Sequence, residues 1–229
     1  MPGSKSLLIV ALAFAPELSA SVCVTDPLSS YIALGATGCQ IGSMNVVNFS
    51  FSTILSTVII LASDITVTPV IANDTLELTF TSPQFNLSGS DIAEYLIAYT
   101  WDPGDVRGLE DVMDANSPVF PGFASLTTTI CEDAAFIGSV CPASTTTLMV
   151  SDNGITANLI DATTFSPPIG IVGVSNVIEL NANGASSEIG GFSNVVILPE
   201  PATWATGLLA LGWLSARQRS LARNLPLAH

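Results

Sequence analysis

Thr75-Leu76-Glu77-Leu78-Thr79-Phe80-Thr81 is the stretch on which the fold turns. Leu76, Leu78 and Phe80 alternate with Glu77, Thr79 and Thr81, the period of two that gives a strand one apolar and one wet face. Working outward, residues 44–51 repeat the pattern, with Val47, Phe49 and Phe51 on one face and Asn48 and Ser50 on the other. Residues 54–61 and 65–71 read as further strands, the second kinked or placed at an edge by Pro69. Later candidates are 125–131, 145–150, 155–160 and 169–180, with Asn153-Gly154 and Asn183-Gly184 as turns where positive φ is cheap. Strands at this spacing predict an all-β chain folded as a single β-sandwich or jelly-roll-like domain.

Two stretches read less simply. Residues 93–101 put Tyr95, Ile97, Tyr99 and Trp101 on one face of a strand, although Ile92, Tyr95, Leu96 and Tyr99 would also form a helical stripe. The strand is the expectation, because its neighbours are strands. Residues 102–122 hold Asp102, Asp105, Glu110, Asp111 and Asp114 among glycines and prolines and read as a long acidic loop, with 109–113 as the place for one helical turn.

Composition agrees with β structure. Charged residues are only 10% of the 229, too few for the wet faces of helices, while β-branched residues abound. Of 19 acidic residues all but Glu17 lie within 20–200, where Arg107 is the lone cation. Binding to nucleic acid needs clustered cations that displace counterions from phosphate, so no nucleic-acid partner is expected.

The parts for most enzyme mechanisms are missing from residues 22–197. The single histidine is His229, so neither a Ser-His-Asp nor a Cys-His arrangement can be assembled there. The single lysine is Lys5, which removes Schiff-base chemistry. Only a carboxylate pair, as in a glycoside hydrolase, survives as a catalytic route, and no two acidic residues are paired by spacing. The chain is expected not to be an enzyme. No cofactor is expected, with Ca²⁺ as the one ion that Asp102, Asp105, Glu110, Asp111 and Asp114 would suit through their hard oxygens. Their spacing is not that of an EF-hand. Tyr95, Tyr99 and Trp101 would suit sugar stacking if exposed, but Ala93 and Ile97 on the same face favour a core role.

Four cysteines, Cys23, Cys39, Cys131 and Cys141, form two sequence-local pairs. An even number in an exported chain favours disulfides. Three connectivities are possible, and Cys23–Cys39 with Cys131–Cys141 is the expected one.

Both ends read as addresses. Residues 1–21 have the layout of a signal peptide: Lys5, an apolar run over 7–15, and Leu18-Ser19-Ala20-Ser21 as a small-residue exit. The alternative there is a hydrophobic first strand. At the other end Pro199-Glu200-Pro201 precedes an uncharged run, 202–216, followed by Arg217, Arg219 and Arg223. As a helix that run would span about 22 Å, a short transmembrane helix beside a hydrocarbon core of about 30 Å. The arginines would hold the cytoplasmic side.

Pro199-Glu200-Pro201-Ala202-Thr203-Trp204, the apolar run and the basic cluster together resemble the PEP-CTERM sorting signal over about 198–223. Residues 28–42 and Asn48-Phe49-Ser50-Phe51 are similar to the opening of many PEP-CTERM proteins, whose bodies are expected to be β-rich. The resemblance implies a bacterial protein exported and processed by exosortase. It implies first anchorage in the inner membrane through the C-terminal helix, and then a place at the cell surface or in the extracellular matrix, with exopolysaccharide and biofilm. The chain divides accordingly into a signal peptide, 1–21, a β-sandwich body, 22–197, and a sorting signal, 198–223. The expected partners are exosortase, the membrane and exopolysaccharide. A Ca²⁺-dependent or carbohydrate-binding module is the alternative function.

Overall fold

A computed structural model gives the structure of the protein, describing residues 20–72, 74–114 and 120–199. The first half comprises β1 (Ser21–Val22), β2 (Asp26–Pro27), α1 (Leu28–Leu34), β3 (Cys39–Ile41), β4 (Met44–Ser56), β5 (Thr66–Ala72), β6 (Thr75–Thr81) and β7 (Asn86–Gly89). The longer strands β8 (Ile92–Asp102), β9 (Val106–Asp114), β10 (Phe123–Glu132) and β11 (Thr145–Asp152) follow. The last are β12 (Ala157–Asn158), β13 (Ile160–Ile169), β14 (Val172–Asn181), β15 (Ala185–Glu188) and β16 (Gly191–Ile197).

These strands build a two-layer sandwich. One sheet runs β1-β3-β4-β8-β14-β10-β11-β12 and the other β13-β9-β16-β6-β5-β2, with β15 and β7 as a separate hairpin. Pairing is antiparallel except between β1 and β3. The inward faces follow the alternation in sequence. Leu76, Leu78 and Phe80 of β6 are buried opposite Tyr95, Ile97, Tyr99 and Trp101 of β8. Each such side chain contributes roughly 1.5–3 kcal/mol by leaving water. Pro69 lies where β5 has β6 on one side and, beyond Val67, no strand on the other. Pro167 and Pro168 likewise fall in the outer strand β13. Edge positions suit proline, which has no N–H to give a ladder.

Aromatic rings run through the core as one continuous line. Tyr31 of α1 meets Phe49 edge-on at 4.9 Å, and Phe49 stacks on Tyr99 at 5.0 Å. Tyr99 lies 5.9 Å from Phe80, which stacks on Phe192 at 4.9 Å. Helix α1 thus closes one side of the sandwich by supplying the first ring of a line that crosses both sheets. Both expected bridges are formed, Cys23–Cys39 tying β3 to the chain entering α1, and Cys131–Cys141 closing a short loop after β10.

Several expectations are corrected. Residues 102–122 are not one long loop: Val106–Asp114 is β9, paired on both sides by β13 and β16. Charges on alternate outward positions hid an inward face of Leu109, Asp111 and Met113. Residues 54–61 are not a separate strand. β4 continues to Ser56, after which Ile59 and Leu61 are exposed while Ile60 turns inward. Nor do Val47, Phe49 and Phe51 share one face, because a β-bulge at Asn48, with φ 58°, shifts the phase of β4. Residues 155–160 divide between β12 and β13. Helix α1 and strands β1, β2, β3, β7, β15 and β16 have no counterpart in the expected elements, and β13 is met only at its two end residues.

The transmembrane element is also corrected. Among the described residues no helix is long and apolar enough to cross a membrane, and α1 has only 7 residues. The expected membrane helix at 202–216, the membrane as a partner and inner-membrane anchorage therefore gain no footing in the fold. Residues 1–19, Glu200, Pro201, 202–216 and Arg217, Arg219 and Arg223 lie outside the described residues; Pro199 directly follows Leu198, which donates its N–H to the Asp74 carbonyl.

Gly38 tests the packing of the β3–β4 entry. A Cβ there would lie 2.1 Å from the Val46 carbonyl oxygen, and its φ is 58°, whereas Gly35, at φ 55°, has open space around it. Gly35→Ala is expected to cost about 1–3 kcal/mol through backbone strain alone, since its ψ of −131° lies outside the left-handed helical region. Gly38→Ala is expected to cost clearly more, since backbone must move as well; urea unfolding of the two variants provides the comparison.

Candidate functional site: a buried polar network between the sheets

Four inward-facing positions that alternation reserves for apolar residues carry polar ones. Thr128 lies between Leu126 and Ile130 in β10, and Asn176 between Val174 and Ile178 in β14. Asp111 lies between Leu109 and Met113 in β9, and Asn194 between Phe192 and Val196 in β16. All four are 0% exposed. The registers pair them directly, Thr128 opposite Asn176 in one sheet and Asp111 opposite Asn194 in the other. Tyr99 of β8 completes the group.

The hydrogen bonds join these pairs across the core. Tyr99 Oη donates to Asn194 Oδ1 at 2.6 Å, and Asn176 Nδ2 donates to the same oxygen at 2.8 Å. Asn194 Nδ2 donates to Asp111 Oδ1 at 2.7 Å, and Thr128 Oγ1 donates to Asn176 Oδ1 at 2.7 Å. With the Asp111 carboxylate as acceptor at one end and the Tyr99 hydroxyl as donor at the other, both amides are oriented consistently. Among the described residues two buried side-chain groups remain unpaired: the Trp101 indole N–H and Asp111 Oδ2.

The carboxyl bears the electrostatic cost. Burial pushes Asp111 up from 3.8 to about 6; the Asn194 amide pulls it down, while the charges of Asp161 and Glu110 push it further up. The one proton of Thr128 goes to Asn176, which leaves Oδ2 without a donor. Protonated Asp111 has a hydrogen of its own to give, and the Thr128 oxygen beside it is an acceptor. Tyr99 is pushed well above its ordinary value by its burial and by the nearby Asp111. Both groups are sealed from solvent, so the network can lock the sheets together but cannot exchange protons with a substrate in a cleft.

The residues singled out in the sequence fall in different places. Tyr95, Tyr99 and Trp101 are 0–2% exposed and belong to the core, which removes them as a sugar-stacking platform. Asp102 closes β8, Asp105 lies in the connection to β9, and Asp114 ends β9. Glu110 and Asp111 are neighbours in β9 and so point to opposite faces. Among the described residues no group of three or more His, Cys, Asp or Glu side chains could hold a metal ion. Asn176, Asn194 and Thr128 were not foreseen, though each is a lone polar residue in the inward phase of a strand. No protein-family model and no curated protein matches this chain in sequence.

Three measurements separate these roles. Tyr99→Phe is expected to cost about 1 kcal/mol, because Asn194 Oδ1 keeps its bond from Asn176. Asn194→Ala strands three groups at once and is expected to cost about 3 kcal/mol or more, read by chemical denaturation. The raised Asp111 means that the folded state holds its proton more tightly than the unfolded one. That contribution is whole below the unfolded value, near 4, and is lost as pH rises through about 6. It amounts to at most about 3 kcal/mol. Asp111→Asn is expected to remove this slope from the stability–pH curve and to raise stability at pH 7.

Proposed function

We propose that the chain is an exported, non-catalytic protein of the bacterial cell surface or extracellular matrix, associated with exopolysaccharide or biofilm. In this reading its Pro199-Glu200-Pro201 tail is the signal read by exosortase. The observation that carries the proposal is the pair of disulfides. Every cysteine of the described residues is bridged, and such bonds form and persist in oxidising compartments outside the cytosol. Each bridge adds roughly 2–4 kcal/mol by restricting the unfolded chain, which suits a protein exposed to a changing exterior.

The chemistry of the interior supports a non-catalytic role. Asp111, whose proton affinity is raised by burial, lies in the core rather than in a cleft. Catalytic carboxyls are tuned in the same way but face a cleft. The strong negative charge, −14 overall, keeps such a protein soluble and suppresses nonspecific association with anionic surfaces.

Intact-mass analysis of the protein recovered from the surface of its native cells tests the reading. The expected chain starts after Ala20 or Ser21, lacks the residues after about Pro201 and has no free thiol. Recovery of a chain ending at His229, or one with reduced cysteines, overturns it.

A further inference from the structure

Between β10 and β11 the chain forms a loop, 133–144, that lies on the outer side of the eight-stranded sheet, pinned at its two limbs by Cys131–Cys141. Its seat is β14. Gly173 donates its N–H to the Ala134 carbonyl at 3.1 Å, and Gly170 donates to Asp133 Oδ1 at 2.7 Å. A Cβ at Gly173 would stand 2.8 Å from that carbonyl oxygen and 3.1 Å from Phe136 Cδ2, so glycine is what lets the loop lie so close. The tip is closed by reciprocal backbone bonds between Ile137 and Val140, with Gly138 at φ 62°. Phe136 is thereby held on a braced loop rather than on a loose one.

Opposite it is the bulge of β4. The register with β8 passes from Val47–Thr100 to Ser50–Ala98, so that Asn48 and Phe49 share the place opposite Tyr99. Phe49 turns into the core, and Asn48 and Ser50 are both left exposed on the outer face. Bulges re-aim side chains in this way beside binding sites. Asn48, Ser50, Ala98, Thr100, Phe136 and Gly138 line a pocket of about 240 Å³. Among the described residues the side chains of Asn48, Ser50 and Thr100 have no hydrogen-bond partner.

The wall selects its ligand by what it lacks. It has no cation to receive an anion, in a chain of net charge −14, and no carboxylate to receive a cation. A purely apolar ligand would bury the amide and both hydroxyls without partners, which disfavours it. What fits is a neutral molecule with several hydroxyls and one flat apolar face. We propose that this pocket binds one unit of a neutral saccharide, stacked on Phe136 and hydrogen-bonded by Asn48, Ser50 and Thr100. The site does not depend on how the C-terminus is processed, so it stands or falls apart from the sorting proposal.

The test is binding of the oxidised full chain to an array of neutral hexose, deoxyhexose and pentose oligosaccharides beside uronate oligomers, followed by titration calorimetry. Neutral oligosaccharides are expected to bind and uronates not. Phe136→Ala is expected to weaken binding by about tenfold or more. Asn48→Gly, which keeps the positive φ, is expected to weaken it severalfold with an unchanged melting temperature. Absence of neutral binding, a preference for uronates, or equal affinity in both variants overturns the assignment.

Discussion

Two apolar sheets pressed together resist separation, but hydrophobic contact alone fixes their relative position weakly, because it has no direction. In this protein direction comes from the Asn194 carboxamide. It accepts from Tyr99 and Asn176 of the facing sheet and donates to Asp111 of its own, so one side chain ties three strands across the core. A shift of any of these strands by one residue would carry its polar group to the opposite face and leave the others buried without partners. The remainder of the sandwich is arranged around that demand.

Tyr99 links this polar system to the packing. Its ring lies between Phe49 and Phe80 in the aromatic line, while its hydroxyl begins the hydrogen-bonded chain. Phe49 reaches Tyr99 because of the bulge at Asn48, and the same bulge turns Asn48 and Ser50 outward toward Phe136. Core packing and outer pocket therefore share one backbone irregularity. The disulfides act at the periphery of this plan. Cys23–Cys39 ties the entering chain to β3 beside α1, and Cys131–Cys141 braces the loop that carries Phe136.

Much of the framework was legible in the residues. β6 coincides with the alternation of 75–81, and β8 with the aromatic row of 93–101, because each has one face in the core. β9 was not legible: its wet-face charges resembled a loop, and Asp111 interrupted its apolar phase. β16 was missed for a related reason, since Asn194 breaks the alternation of Phe192 and Val196. Asp111 and Asn194, which signal a loop on a local reading, are here fully buried.

By itself the sequence determined the all-β class, the inward rows of β6 and β8 and the supply of four cysteines in two local pairs. These follow from side-chain period and proximity along the chain, which are local properties. Tertiary structure decided that Asp111, Thr128, Asn176 and Asn194 are partners across the core. It also decided that Phe136 stands over Asn48 and Ser50, some 90 positions earlier, an approach set by a bulge and a glycine seat. Hydrogen bonds and ring contacts between distant strands depend on register, and register exists only once the sheets have formed.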